Sequence, residues 1–187
     1  MLRLLALVFC TLLWNASRPV ANKPLFALTK GKITFSSDAF LEYITASSQQ
    51  IRGVIDPSDQ KFAFSVGMIS FEGFNSPLQK EHFNENFMES KTYRNATFSG
   101  KIIEKIDFDK EGEYTIRAKG TLSIHGIKRE RIIKSNIRIK EGKIYVKSVF
   151  FVHLKEHDIK IPRIVHQKIA KEILVKVDVV FEKKDKI

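Results

Sequence analysis

From residue 96 onward the chain alternates apolar and polar side chains with a period of two. In YTIRAKGTLSI, one face carries Tyr114, Ile116, Ala118, Gly120, Leu122 and Ile124, and the other carries Thr115, Arg117, Lys119, Thr121 and Ser123. Successive side chains of a strand point to opposite sides, so this pattern predicts a strand with one dry face and one wet face. ERIIKSNIRIK repeats it with Ile133, Ser135, Ile137 and Ile139 inward. KIYVKSVFFVHL places Ile144, Val146, Ser148, Phe150, Val152 and Leu154 inward, and EILVKVDVVFEK does the same with Ile173, Val175, Val177, Val179 and Phe181. KFAFSVGMISF (61–71) and ATFSGKIIEKI (96–106) also read as strands. In the first of these, Phe64, Val66 and Met68 compete with Ile69 and Phe71 for the inner face. Shorter candidates cover 33–36 and 51–56, and DAFLEYITASS (38–48) fits neither strand nor helix cleanly.

Short links with glycine separate the runs: DKEGE holds Gly112, IHGI holds Gly126 and KEGK holds Gly142. Such links join antiparallel neighbours, and residues 96–154 leave no room for the long crossovers of a parallel sheet. The expectation is an all-β fold: an antiparallel up-and-down barrel of about eight strands, with a two-sheet sandwich as the alternative. One helix is written clearly near one end. In NSPLQKEHFNENF, Ser76 is the N-cap, Pro77 takes the first helical position and Gln79 completes a capping box. Leu78, His82, Phe83 and Phe87 then share a face. A second short helix is expected over PRIVHQKIAKE, started by Pro162, with Val165 and Ile169 one turn apart.

Composition changes this picture at the N-terminus. LLALVFCTLLW (4–14) is an apolar run of eleven residues behind Arg3. That is too short for a bilayer span and suits the core of a signal peptide. Residues 1–21 are therefore expected to be an export signal and 22–187 a single domain, placing the protein in the periplasm or outside the cell. Cys10 and Trp14 are the only residues of their types, so the mature chain would have neither thiol nor indole. That excludes disulfides, thiolate nucleophiles and cysteine-ligated metals in it. Removing Arg3 and Arg18 leaves 30 basic against 21 acidic residues, a surface that attracts anionic membranes or polyanions. The lysines are dispersed along the polar faces.

Candidate chemistry is sparse. HLKEH (153–157) matches the H-x-x-E-H pattern of one class of zinc peptidases, which requires a helix. Here His153 continues an alternating strand, and in a strand the two histidines would lie about 13 Å apart. The motif is read as a strand end, with His157 on the surface. His125 is read as a turn residue beside Gly126, His82 as a core histidine on the helix face, and His166 as an isolated side chain. Asn95-Ala96-Thr97 is a glycosylation sequon. No catalytic group and no metal set emerge. Fourteen phenylalanines follow the signal, and composition alone does not distinguish a filled interior from an apolar-lined cavity, which eight-stranded barrels can enclose.

Four stretches together resemble the bacterial YceI-like family. They are FAFSVGMISFEGFNSPLQKEHFNENFMES (62–90), YRNATFSGKI (93–102), GTLSIHGI (120–127) and HDIKIPRIVHQKIAKEI (157–173). Arg94 departs from the family pattern, which often has proline there. The resemblance implies an exported, lipocalin-like barrel over 22–187 that binds a polyisoprenoid lipid without catalysis. On that reading the inward positions Phe64, Val66, Met68, Tyr114, Ile116, Leu122, Phe150 and Val152 would line the cavity, with Phe83 and Phe87 closing one end. No cofactor is expected beyond a bound isoprenoid lipid or quinone. An anionic membrane surface is a candidate partner, specific nucleic acid is not, and the oligomeric state is open. The competing readings are a basic module for polyanions and a metal-assisted hydrolase using the scattered histidines.

Overall fold

Antiparallel pairing organises the whole molecule, as the short glycine links require. The computed structural model describes residues 24–184. The expected signal, residues 1–21, lies outside the described residues. The chain runs through β1 (Leu25–Asp38), β2 (Tyr43–Ser48), β3 (Arg52–Asp56), β4 (Lys61–Gly67), α1 (Pro77–His82), β5 (Asn95–Ile102), β6 (Gly112–Ile124), β7 (Ile127–Lys140), β8 (Lys143–His153) and β9 (Glu172–Lys184). From β3 to β9 each strand pairs with the next, β3 pairs with β1, and β9 returns along β1. Eight strands thus close into a barrel. β2 pairs with Ile33–Asp38 at the upper half of β1, while β3 takes Phe26 and Ala27 at the lower half. Beyond Gly67 the free edge of β2 makes one bridge, Ser47 to Glu72, among the described residues. The segment carrying α1 sits at that end.

Local chemistry explains the corners. Between β6 and β7, His125 and Gly126 both have positive φ (51° and 74°), as a two-residue hairpin matched to strand twist demands. A side chain at Gly126 would also meet the Tyr93 ring, whose Cε1 lies 2.6 Å from the ideal Cβ position. Gly100 and Gly120 face each other across β5 and β6. A Cβ on Gly120 would fall 2.2 Å from the Ser99 carbonyl oxygen, so the two backbones approach as only glycines allow.

The alternating faces of β6 to β9 point as the sequence predicts, with Ile116, Ile137, Ile144, Val179 and Phe181 all buried. Three elements differ, the first being the strand read over 96–106, which ends at Ile102. β1 is much longer than the 33–36 segment read from sequence, because a bulge between Leu28 and Lys30 shifts its register. Phe26 and Leu28 pack into the core before the bulge and Ile33 and Phe35 after it, so the period-two signal breaks midway. The 61–71 strand ends at Gly67, and Met68–Ser70 form a 3-10 turn. That turn resolves the competing faces: Met68 and Phe71 are buried while Ile69 is 71% exposed.

The expected second helix is also corrected. Only Arg163–Val165 form a 3-10 turn, and the His166 ring bonds back to the Arg163 carbonyl. The first helix keeps its cap, with Ser76 Oγ accepting from Gln79 N at 3.1 Å. The return arm of the capping box reaches one residue further, Asn75 N donating to Gln79 Oε1 at 3.0 Å. After His82 the helix widens into a π turn over Phe83–Phe87.

Candidate ligand-binding cavity

The barrel is packed at one end and hollow at the other. In the lower half Phe26, Ile144, Val179 and Phe181 have almost no exposed surface. Phe26 meets Phe108 with ring centres 6.0 Å apart, and Phe64 meets Phe181 edge-on at 5.6 Å. Above them lies a cavity of about 480 Å³, within the range of about 300–1,000 Å³ usual for small-molecule sites. A smaller chamber of about 110 Å³ adjoins it towards the packed end. Ile33, Val66, Ala96, Leu122 and Phe150 belong to the walls of both.

Strand residues supply most of the upper wall: Phe35 from β1, Ile44 from β2, Val66 from β4, Leu122 and Ile124 from β6, Phe150 and Val152 from β8, and Ile173 and Val175 from β9. They are the inward positions of alternating runs, so the period that builds the sheet also makes the cavity apolar. The lower chamber has four hydroxyl side chains in its lining, Ser65, Thr97, Ser135 and Ser148, of which the last two sit opposite each other on β7 and β8 and bond to one another. The polarity of that pair is thereby spent inside the wall. Phenylalanines enclose the side next to α1: Phe35 stacks on Phe83 at 5.2 Å, and Phe74 meets Phe83 at 5.1 Å.

Polar groups gather at the upper opening. Ser37, Glu42, Gln79, His82 and Lys168 line the cavity there. Gln79 Nε2 donates to Glu42 Oε1 at 2.8 Å, tying α1 to the β1–β2 tip. Ser37 Oγ accepts from Ala170 N at 2.8 Å, tying β1 to the segment before β9. His82 is exposed at this mouth, so the expected core histidine is corrected: α1 is a short surface helix that buries none of its residues.

The HLKEH segment is also placed differently from its expectation. His153 ends β8, but Leu154–His157 form a 3-10 turn, and His157 is completely buried. The strand-end reading holds for His153 alone. Neither an α-helix nor a shared face joins the two histidines. His153 faces Glu172 at 3.1 Å, whereas His157 Nδ1 faces the Ile127 carbonyl at 3.3 Å. His157 Nε2 has no hydrogen-bond partner among the described residues. Burial pushes the His157 pKa below the usual histidine range, against the opposing pull of backbone carbonyls at Ile127 and Ile124. Its own carbonyl accepts from His125, whose other ring nitrogen lies 3.1 Å from Glu89 Oε1. His125 is thus a turn residue, as expected, and a bridge among three segments of the rim.

Of the ten residues assigned to the ligand from sequence, Val66, Met68, Phe83, Phe87, Leu122, Phe150 and Val152 line the upper cavity. Phe64 and Ile116 line the lower chamber. Tyr114 lines neither. It lies on the same face of β6 but below the hollow region, with its hydroxyl 3.4 Å from the Lys110 carbonyl. Ile33, Phe35, Ile44, Phe71 and Phe74 are wall residues that the sequence reading did not assign. Alternation flagged the short 33–36 strand, but nothing in the sequence placed Phe71 and Phe74 beside Phe35.

Residues 26–181 match the family described as YceI-like domain. No curated protein sequence shows significant similarity to the chain. Among solved structures, the fold is similar to a polyisoprenoid binding domain from Saccharophagus degradans implicated in plant cell wall breakdown. That likeness has a TM-score of 0.73 at 14% identity, covering 87% of this chain and 100% of that one. BcnA of Burkholderia cenocepacia is similar with a TM-score of 0.66 at 16% identity, over 80% of this chain and 95% of that one. The YCEI protein of Campylobacter jejuni has a TM-score of 0.54 at 21% identity, over 70% and 78%.

Proposed function

The chain belongs to the YceI-like family, and on that premise we propose that it is an exported, non-enzymatic carrier that sequesters a long isoprenoid-type lipid. The observation that carries this reading is the apolar upper cavity, whose polar groups gather at its mouth. An isoprenoid chain offers only hydrocarbon to such a wall. Each buried CH₂ contributes about 0.8 kcal/mol, and ordering a flexible chain takes part of that back. From Ile124 at the upper cavity to Ile116 at the lower chamber is a run of eight residues along β6. At ~3.3 Å per residue and a barrel tilt of about 40°, this gives roughly 20 Å of depth. That suits several isoprene units, entering tail first, with the head group left among Glu42, Gln79, His82 and Lys168.

The structural relative named for polyisoprenoid binding supports the same ligand class. A quinone with an isoprenoid tail satisfies the same geometry. The short apolar run at 4–14 supports export to the envelope, and the basic exterior suits work near an anionic membrane. The test is mass spectrometry of lipid carried by protein purified from its own host, joined to melting curves with isoprenoid alcohols and quinones of increasing length. A ligand that binds only the folded state raises the melting temperature. The reading fails if no lipid co-purifies and no chain length shifts melting.

A further inference from the structure

Two large apolar side chains are almost fully exposed, Phe40 at 90% and Ile164 at 91%. Both stand at the mouth of the cavity, on different segments. Phe40 is on the tip joining β1 to β2, and Ile164 is in the 3-10 turn between β8 and β9. Leu41 N donates to Gln167 O at 2.9 Å, so the two segments are fixed to each other. Glu42 and Val165, close in sequence to these exposed residues, line the cavity itself. The protruding groups therefore frame the opening through which an apolar ligand would pass.

The charge around Ile164 is one-sided. Residues 159–171 contain Lys160, Arg163, Lys168 and Lys171 and no aspartate or glutamate. None of these four side chains makes an ion pair with a described residue. Acidic groups stand at this end too, at Asp38 and Glu42 on the hairpin, Glu81 on α1 and Asp158 before the segment, while Glu72, Glu85, Glu89, Glu156 and Glu172 are engaged by Lys80, Lys91, His125, Arg131 and His153. The turns at the opposite end of the barrel mix both signs and pair them, as Lys61 does with Asp59 and Lys183 with Asp109. Free cations flanking separated apolar tips are suited to an interface where the tips enter the acyl boundary and the cations meet phosphate head groups.

We propose that this mouth docks on a phospholipid bilayer bearing anionic head groups, so that the ligand moves between membrane and cavity without crossing water. The proposal rests on the lipid-binding reading above and names the surface through which that site is served. Phe40 and Ile164 insert, and Arg163 with its neighbours supplies the charge selectivity.

The experiment uses the full chain as recovered from the host envelope. Flotation with phosphatidylcholine vesicles, with and without phosphatidylglycerol, measures docking, and the melting shift caused by farnesol measures the cavity separately. The expected result is flotation that requires phosphatidylglycerol and weakens with salt. The double variant Phe40→Ser/Ile164→Ser should lose at least about tenfold in vesicle affinity, from two lost apolar insertions. Arg163→Gln and Lys171→Gln should each lose roughly fivefold. None of these residues lines the cavity, so the farnesol shift should be the same in all of them. Absence of flotation, or equal flotation of parent and double variant, overturns the proposal; the second result is also what an N-terminal apolar segment acting alone would give. Self-association that the double variant abolishes, without vesicle binding, overturns it in favour of a second copy. Rim-dependent flotation with no farnesol shift supports the docking surface and counts against the lipid-carrier reading instead.

Discussion

Replacing His157 with alanine removes a ring with no exposed surface from beneath the rim of the barrel. Truncating a side chain of that size in a core costs about 2–5 kcal/mol, depending on how far the site collapses. The loss of the bond from Nδ1 to the Ile127 carbonyl adds about 1 kcal/mol. One contribution opposes these: Nε2 is already buried without a partner, and removing it relieves roughly 1–3 kcal/mol of desolvation. The net expectation for His157→Ala is a loss of about 2–3 kcal/mol. Urea titration should show the midpoint falling by about 1 M at unchanged slope, and calorimetry a melting temperature lower by roughly 4–12 °C. The same residue sets a pH response. Its pKa is lower folded than unfolded, so the unfolded chain binds the extra proton as pH falls. The stability of the native protein is therefore full above the unfolded histidine value, about 6.5, and declines below it. Urea midpoints taken between about pH 7 and about pH 5.5 should fall more for the parent than for His157→Ala. A change in stability within about ±0.5 kcal/mol, the range of surface substitutions, together with parallel pH profiles, would refute the reasoning.

Phe26→Ala, in the packed half, should cost about 3–5 kcal/mol in urea titration. Phe150→Ala, at the wall of both chambers, should cost less than about 2 kcal/mol in the ligand-free protein; equal losses would mean that the upper half is packed too. Phe150→Trp should fold and shorten the longest isoprenoid that shifts melting, and unfolding of that variant would count against a hollow interior. Gly120→Ala should destabilise by more than about 1 kcal/mol, since its Cβ meets backbone and not a flexible side chain; a neutral result by thermal melting would show that β5 and β6 can separate. Intact mass of envelope protein should lack residues 4–14, and cytoplasmic protein that retains them would rule out export.

Legibility in the sequence followed the length of undisturbed local pattern. β6 to β9 alternate without interruption, and two-residue turns connect β6 to β8, so their inner faces could be read directly. β1 could not, because the bulge near Thr29 changes which parity faces inward, and Lys30 and Lys32 then mask the strand. Cavity residues on regular strands, such as Leu122 and Val152, were legible for the same reason that the strands were. Phe71 and Phe74 belong to an irregular segment whose position is set by contacts with Phe35 and Phe83. His157 was hidden by its neighbours. Lys155, Glu156 and Asp158 are charged and read as surface, while the tight turn closed by Asp158 at φ 54° rolls the histidine inward as well as Leu154.

A hollow region in a barrel forgoes the dispersion contacts that a filled core would make. Two features offset that loss here, and they lie in different places. The packed lower half supplies dense apolar burial around Phe26, Val179 and Phe181. The rim is held by directional bonds, His125 to the His157 carbonyl and Glu89, Arg129 Nε to the Glu156 carbonyl at 2.8 Å, and Gln79 to Glu42, together with the ion pair of Arg131 and the Glu156 carboxylate at 2.8 Å. Bonds of this kind fix geometry without occupying the interior. A wall preformed in this way leaves less ordering to be done when a flexible chain enters, so more of the apolar contact appears as affinity. It follows that residues at the two ends should fail differently. Damage to the lower half lowers global stability whether or not ligand is present, whereas damage confined to rim bonds such as Gln79 with Glu42 should widen or distort the opening and fall mainly on ligand affinity.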